Sequence, residues 1–220
     1  MRCLISAGPT REYFDPVRYL SNPSSGRMGY ALTQAACDLG WEVQLVSGPV
    51  CLKPPSGCHL HPVTTGAEML VAIEDKFEDC DILIMTAAVM DYRPQTCSME
   101  KIKKTGTLLN TVLEPVPDIL KTVAARKTQQ LIVGFAAETD RLIEHGQEKL
   151  RQKKCDYIIA NQVGGIKTAF ESKQNEVFLI SANGDVSHYP RSDKKELAVQ
   201  LIHFFAKTLR NKDALPLDGG

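Results

Sequence analysis

Asp81-Ile-Leu-Ile-Met-Thr-Ala-Ala88 is the run that decides the fold. Past its leading acid it is apolar at consecutive positions, the mark of a strand covered on both faces. Outward from it, comparable runs recur at Cys3-Leu-Ile-Ser-Ala7, Trp41 to Ser47, Gln130 to Ala136 and Asp156 to Ala160. Helical spacing separates them. Met28, Ala31, Leu32, Ala35, Ala36 and Leu39 make the buried stripe of a helix that starts near Ser24-Ser25, with Gly40 as its cap. Thr65-x-x-Glu68 is a capping box opening a helix whose Met69, Leu70, Ile73 and Phe77 face inward. Pro117 suits the first residue of a helix running to about Arg126, and Asp140 to Lys154 is helical again. Asn175 to Ser181 and Asp185 to Tyr189 make a hairpin about Asn183-Gly184, and Leu197, Leu201, Ile202, Phe205 and Leu209 stripe a last helix.

This alternation predicts an α/β fold: a Rossmann-like, mostly parallel sheet with helices on both faces, followed by a C-terminal hairpin. A single domain over residues 1–210 with a frayed tail at 211–220 accounts for the chain. Ligands in such sheets sit beyond the carboxyl ends of the strands, where the strand order reverses. That rule puts Gly8 to Gly29, Ala87 to Asp91 and Phe135 to Thr139 on one rim. Between Met90 and Gly106 the periodicity lapses, and this stretch, carrying Lys101, Lys103 and Lys104, reads as a mobile flap before a strand at Leu108 to Leu113.

Lys plus Arg and Asp plus Glu both number 26 in the 220 residues, so no global field exists to hold a nucleic acid or an anionic membrane. No apolar run approaches the roughly 20 residues of a membrane-spanning helix. Met1-Arg2 leads directly into the first strand with no room for a signal-peptide core, so the sequence reads as cytoplasmic. Seven scattered cysteines without a C-x-x-C pair point to reduced thiols, and five histidines show neither metal nor triad spacing.

Several stretches carry two readings each. Ser24-Ser25-Gly26-Arg27-Met28-Gly29 opens the first helix, where free N–H groups and the dipole attract phosphate; a capped helix with close-packing glycines explains it equally. It is neither the dinucleotide fingerprint nor a P-loop. The lysines at 101, 103 and 104 are a solvated charge run or a cover for a phosphate. Lys149 and Lys153, four apart, share a helix face that is either wet or anion-binding. Asp91 and Asp118 could hold Mg²⁺ or a ribose hydroxyl, Asp118 equally a helix dipole. Phe135 is core or a platform for a base.

In combination these pieces resemble the phosphopantothenoylcysteine synthetase family, the synthetase half of the bacterial bifunctional coenzyme A enzyme. The resemblance rests on Ala7-Gly-Pro-Thr-Arg11, Asp15-Pro-Val-Arg18, Ser21-Asn22, Ser24 to Gly29, Val46-Ser-Gly-Pro49, Ala87 to Pro94, Lys101-Ile-Lys-Lys104, Pro117-Asp-Ile-Leu120 and Gly134-Phe-Ala-Ala-Glu-Thr139, in that order. It implies a ligase in which a carboxylate of 4′-phosphopantothenate attacks the α-phosphate of CTP, and the amine of L-cysteine then displaces CMP. It also implies Mg²⁺, a homodimer paired through an arm at 92–113, and a separate flavin-dependent decarboxylase downstream, with no flavin on this chain.

By position, the resemblance assigns Asn22, Arg18 and the flap residue Lys101 to catalysis. Nucleotide contacts would come from Ser24, Ser25, Gly26, Gly29, Ala87, Asp91, Lys101, Pro117, Asp118, Ile119, Leu120, Phe135, Lys149 and Lys153, and metal contacts from Asp91 and Asp118. Pro23, Met90 and Val116 depart from the residues usual in the family. Two other functions fit parts of the sequence. A dinucleotide-dependent oxidoreductase shares the strand-helix order, but it needs a Gly-x-Gly turn after the first strand and an acid ending the second, and Gly8-Pro9 and Ser47-Gly48 stand there. A non-catalytic nucleotide sensor would keep the pocket without turnover.

Overall fold

The computed structural model of the chain describes residues 1–138, 140–162 and 173–213. The N-terminal half runs β1 (Arg2–Ala7), β2 (Arg11–Tyr13), β3 (Tyr19–Ser21), α1 (Arg27–Asp38), β4 (Glu42–Ser47), β5 (Cys58–Pro62), α2 (Gly66–Phe77) and β6 (Ile82–Met85). There follow β7 (Tyr92–Pro94), β8 (Leu113–Pro115), α3 (Ile119–Ala124), β9 (Leu131–Glu138), α4 (Leu142–Lys153), β10 (Tyr157–Gln162), β11 (Gln174–Ser181), β12 (Val186–Asp193) and α5 (Lys194–Asp213).

One eight-stranded sheet dominates, in the order β12-β11-β10-β9-β6-β1-β4-β5. The six strands from β5 to β10 pair in parallel, and β11 and β12 close the edge antiparallel. The order reverses at β1, which pairs with β4 on one side and with β6 on the other. Consecutive apolar residues along the central strands serve both faces. Cys3, Ile5 and Ala7 pack into the core beneath α1 and α5, whereas Leu4 joins the opposite core with Met69, Ile73 and Phe77 of α2. Ile82 and Ile84 face the first core, Leu83 and Met85 the second. This is why the run at 81–88 shows no alternation.

Local chemistry fixes the helix ends. Thr65 accepts from the Glu68 N–H at 3.2 Å, and the Glu68 carboxylate accepts from Thr64 N–H at 2.7 Å, one residue outside the expected reciprocal bond. Gly40 is left-handed at φ 73°, and the bonds Gly40 N–H to Cys37 O (2.9 Å) and Trp41 N–H to Ala36 O (3.1 Å) make a Schellman stop.

Four readings need correction. Leu39, placed in the buried stripe of α1, is 38% exposed, and Tyr30 and Thr33 join Leu32, Ala35 and Ala36 inside instead. The strand expected at Leu108 to Leu113 lies at Leu113–Pro115, paired antiparallel with β7 inside the presumed flap. Pro117 precedes the helix and does not begin it, because Asp118 is the cap of α3. The edge strand β5 was not expected. Of the anticipated frayed tail, 214–220 lies outside the described residues.

All seven cysteines are free. Burial first, and then the neighbouring Asp81 and Asp156 carboxylates, push the thiols of Cys80 and Cys155 up to about 12; burial likewise raises Cys3. At pH 8, iodoacetamide is therefore expected to modify the exposed Cys51 and Cys97 and to leave Cys3, Cys80 and Cys155 unreacted until the chain unfolds. Peptide mass mapping checks this; modification of Cys80 in the folded protein would contradict it.

Candidate active site

At the reversal of strand order, the loops leaving β1 and β6 run side by side. Ala88 N–H donates to Gly8 O (2.9 Å), Thr10 N–H to Ala88 O (3.3 Å) and Met90 N–H to Thr10 Oγ1 (3.0 Å). Ser6 binds Thr86 and Ala87 in the same way, accepting Thr86 Oγ1 at its carbonyl (2.6 Å) and Ala87 N–H at its hydroxyl (3.2 Å). Glycines permit the crowding here. A Cβ on Gly48 would stand 1.8 Å from Pro9 O, and one on Gly29 would meet Thr86 Oγ1 at 2.5 Å and Ala7 Cβ at 2.6 Å. The tip of α1 is thereby drawn directly onto the ends of β1 and β6.

That tip begins at Gly26, left-handed at φ 72°, with no side chain capping the helix. First-turn N–H groups have no partner within a helix, so such a tip attracts anions. It forms one wall of a cleft of about 610 Å³. Asn22 lines the same cleft, its amide held by a bond to Val89 O at 3.0 Å. The expected Ser24, Ser25, Gly26, Gly29, Ala87 and Asp91 line it too. Across from them stand Phe135, within β9, and the segment Pro117 to Leu120 leading into α3. Pro23, Met90 and Val116, the three departures from the family pattern, also lie on the lining.

Lys149 and Lys153 reach the cleft from α4, and each meets an acid. Lys149 Nζ lies 2.7 Å from Glu138 Oε1, with His145 Nδ1 at 3.3 Å from the other oxygen of that carboxylate; Lys153 pairs with Asp118. Asp118 also accepts Lys121 N–H at 3.0 Å, which caps α3. Both its oxygens are committed, and among the described residues no three metal-ligating side chains converge. Asp91 alone is no octahedral site. Among the described residues the side chains do not build a site for a resident Mg²⁺.

Two of the residues expected at the centre stand outside the lining. Arg18 pairs with Asp15, and Lys101 belongs to the segment after β7. The cleft instead includes three polar residues that sequence reasoning missed, Asn161, Asn175 and Lys194. All three are nearly buried, and burial, followed by the charge of Arg27, pushes the Lys194 ammonium below the usual lysine range. Polar residues at the ends of otherwise apolar strands were the available signal for the asparagines.

Comparison with known proteins identifies the family and the fold. The family model of the DNA/pantothenate metabolism flavoprotein C-terminal domain matches residues 1–209. The coenzyme A biosynthesis bifunctional protein CoaBC of Vibrio cholerae is 44% identical over 205 residues, covering 92% of this chain and 51% of the relative. The chain thus spans about half the length of the curated relatives it matches. A crystal structure of the C-terminal domain of CoaBC is 38% identical with a TM-score of 0.81, covering 96% of each chain. A Cab2 variant in complex with phosphopantothenate-cysteine shares the fold at 18% identity, with a TM-score of 0.80 over 97% of this chain and 89% of that one.

Because the tip of α1 depends on a missing side chain, Gly29→Ala is expected to lower stability by about 1–3 kcal/mol. Thermal melting measures this. A variant that melts like the parent would contradict the packing described.

Proposed function

The chain belongs to the family of the DNA/pantothenate metabolism flavoprotein C-terminal domain, and from that premise we propose that it is a phosphopantothenate–cysteine ligase that uses CTP. The observation that carries the reading is the cleft itself. An uncapped helix tip with Asn22 beside it faces an aromatic ring and two lysines across a gap of nucleotide size.

Activation sets two anions against each other: the carboxylate of 4′-phosphopantothenate must attack the α-phosphate of CTP. Positive charge therefore has to gather on the triphosphate first. The helix N–H groups, Lys149 and Lys153 offer it from opposite walls, and Lys101 adds a further cation from outside. Phe135 gives the base a face, and main-chain groups of Pro117 to Leu120 are placed to read the exocyclic amine of cytosine. Attack forms the carboxyl oxygen–phosphorus bond and expels pyrophosphate, leaving an acyl-cytidylate. The amine of cysteine then attacks the acyl carbon, loses a proton, and CMP departs. Asn22, fixed by Val89, is positioned to hold the acyl-cytidylate between the two steps.

The arm between β7 and β8 exposes Met99 and Leu108 at 91% each and Val112 at 68%. Apolar residues left so open on an extended arm support pairing with a second copy across a two-fold axis. No helix among the described residues is long and apolar enough to cross a membrane. The product of the proposed reaction would pass to a flavin-dependent decarboxylase.

Incubation with phosphopantothenate, cysteine and CTP or ATP should release pyrophosphate with CTP; no release with either nucleotide would leave a non-catalytic sensor as the better description. Lys101→Gln should lower kcat about 100-fold or more while CTP binding changes only a few-fold, because its charge matters most as the phosphates rearrange. Equal losses in both would make it a simple anchor. In Asn22→Asp, rapid-quench analysis should find altered levels of bound acyl-cytidylate, and unchanged steady-state rates would refute that assignment. Light scattering of active protein should give a dimer.

A further inference from the structure

We propose that Asp15 is a positioning residue for Lys101: with Arg18 it forms a latch that grips the backbone of Ile102 and so fixes where the preceding lysine stands. The proposal rests on the reading of Lys101 given above, and its evidence is the geometry of the turn between β2 and β3.

The Asp15 side chain is wholly buried, and every bond it accepts is accounted for. Oδ1 takes the N–H groups of Val17 (2.9 Å) and Arg18 (2.8 Å), which folds the turn back on itself. Oδ2 takes Arg18 Nε at 2.9 Å, Arg18 Nη2, and the N–H of Ile102 at 3.1 Å. Arg18 Nη2 in turn donates to the carbonyl of Ile102 at 2.7 Å. Both polar backbone groups of one residue in the basic segment are thus held by one ion pair whose carboxylate is buried and whose guanidinium is partly exposed. Ser98 N–H adds a second tether, donating to Phe14 O at 3.0 Å.

Three features make this a device for placement. The grip is on backbone, so it fixes Lys101 and Lys103 on either side without engaging their side chains. The grip stays charged, since the Arg18 guanidinium first, and then the backbone N–H groups, hold the Asp15 carboxyl well below the usual carboxylate range. It is also coupled to the cleft, because β3 runs directly from Arg18 to Asn22, and Asn22 is tied to Val89. Arg18 thereby acquires a role that does not require it to touch substrate.

The test compares Asp15→Asn, Ile102→Pro and Ile102→Ala with the parent, by tryptic cleavage after Lys103 and Lys104 in the folded, nucleotide-free protein and by CTP-dependent pyrophosphate release. Ile102→Pro removes the gripped N–H and leaves the Asp15 turn intact, while also restricting the backbone of Lys101, so the cleavage comparison carries the decision. It and Asp15→Asn should raise cleavage about tenfold, the effect of losing one or two buried hydrogen bonds, and lower kcat at least as much with KM for CTP changed only a few-fold. Ile102→Ala should match the parent. Should Asp15→Asn fail to fold, Ile102→Pro still decides, since the turn itself is untouched. Parent-like cleavage in Ile102→Pro, or equal damage from Ile102→Ala, would overturn the latch. Full activity in Lys101→Gln would overturn the role of the lysine, and the cleavage result reads separately from it.

Discussion

The site depends on a short seam of backbone hydrogen bonds between Gly8–Thr10 and Ala88. Parallel strands normally part company at their ends. Here the two loops stay paired past Ala7 and Met85, with Pro9 and Ala88 bridged in parallel, so the chain leaving β1 is held against the chain leaving β6. Gly8 and Gly48 let the loop leaving β4 close on the chain leaving β1, and Gly29 lets α1 descend onto Ala7 and Thr86. Once the seam exists, the uncapped helix tip, Asn22 and the 87–91 loop have one relative placement. Without it they would be three mobile turns.

Electrostatics completes the design on the opposite wall. Lys149 and Lys153 are paired with Glu138 and Asp118, and both lysines keep partial exposure. Pairs of this kind contribute about 0–1 kcal/mol, so they orient the ammonium groups without locking them. In the proposed reaction a triphosphate, which carries more charge than either carboxylate, would take over these lysines, and the acids would until then keep them extended toward the cleft.

Much of this was legible in the sequence where the signal was local. The apolar run at 82–85, the Thr65–Glu68 box and the Gly40 stop depend on neighbours a few residues away. The edge strand Cys58–Pro62 was not legible, because its two histidines and terminal proline give it no apolar pattern and pairing with β4 alone creates it. At Pro117-Asp118 two start signals competed, and the carboxylate won by bonding Lys121 N–H. In the site, the segments on the rim were predictable from the topology rule. Lys194 and Asn175 were not, since they arrive through β11 and β12 at the far edge of the sheet. The Asp15–Ile102 contact spans 87 residues and leaves no trace in local periodicity.

The central claim is that this seam builds a seat for a cytidine triphosphate. A crystal structure with CTP measures it most directly. The account predicts the base against Phe135 and the segment 117–120, with the phosphates at the N-terminal turn of α1. A nucleotide lodged elsewhere, with that helical tip vacant, would contradict it.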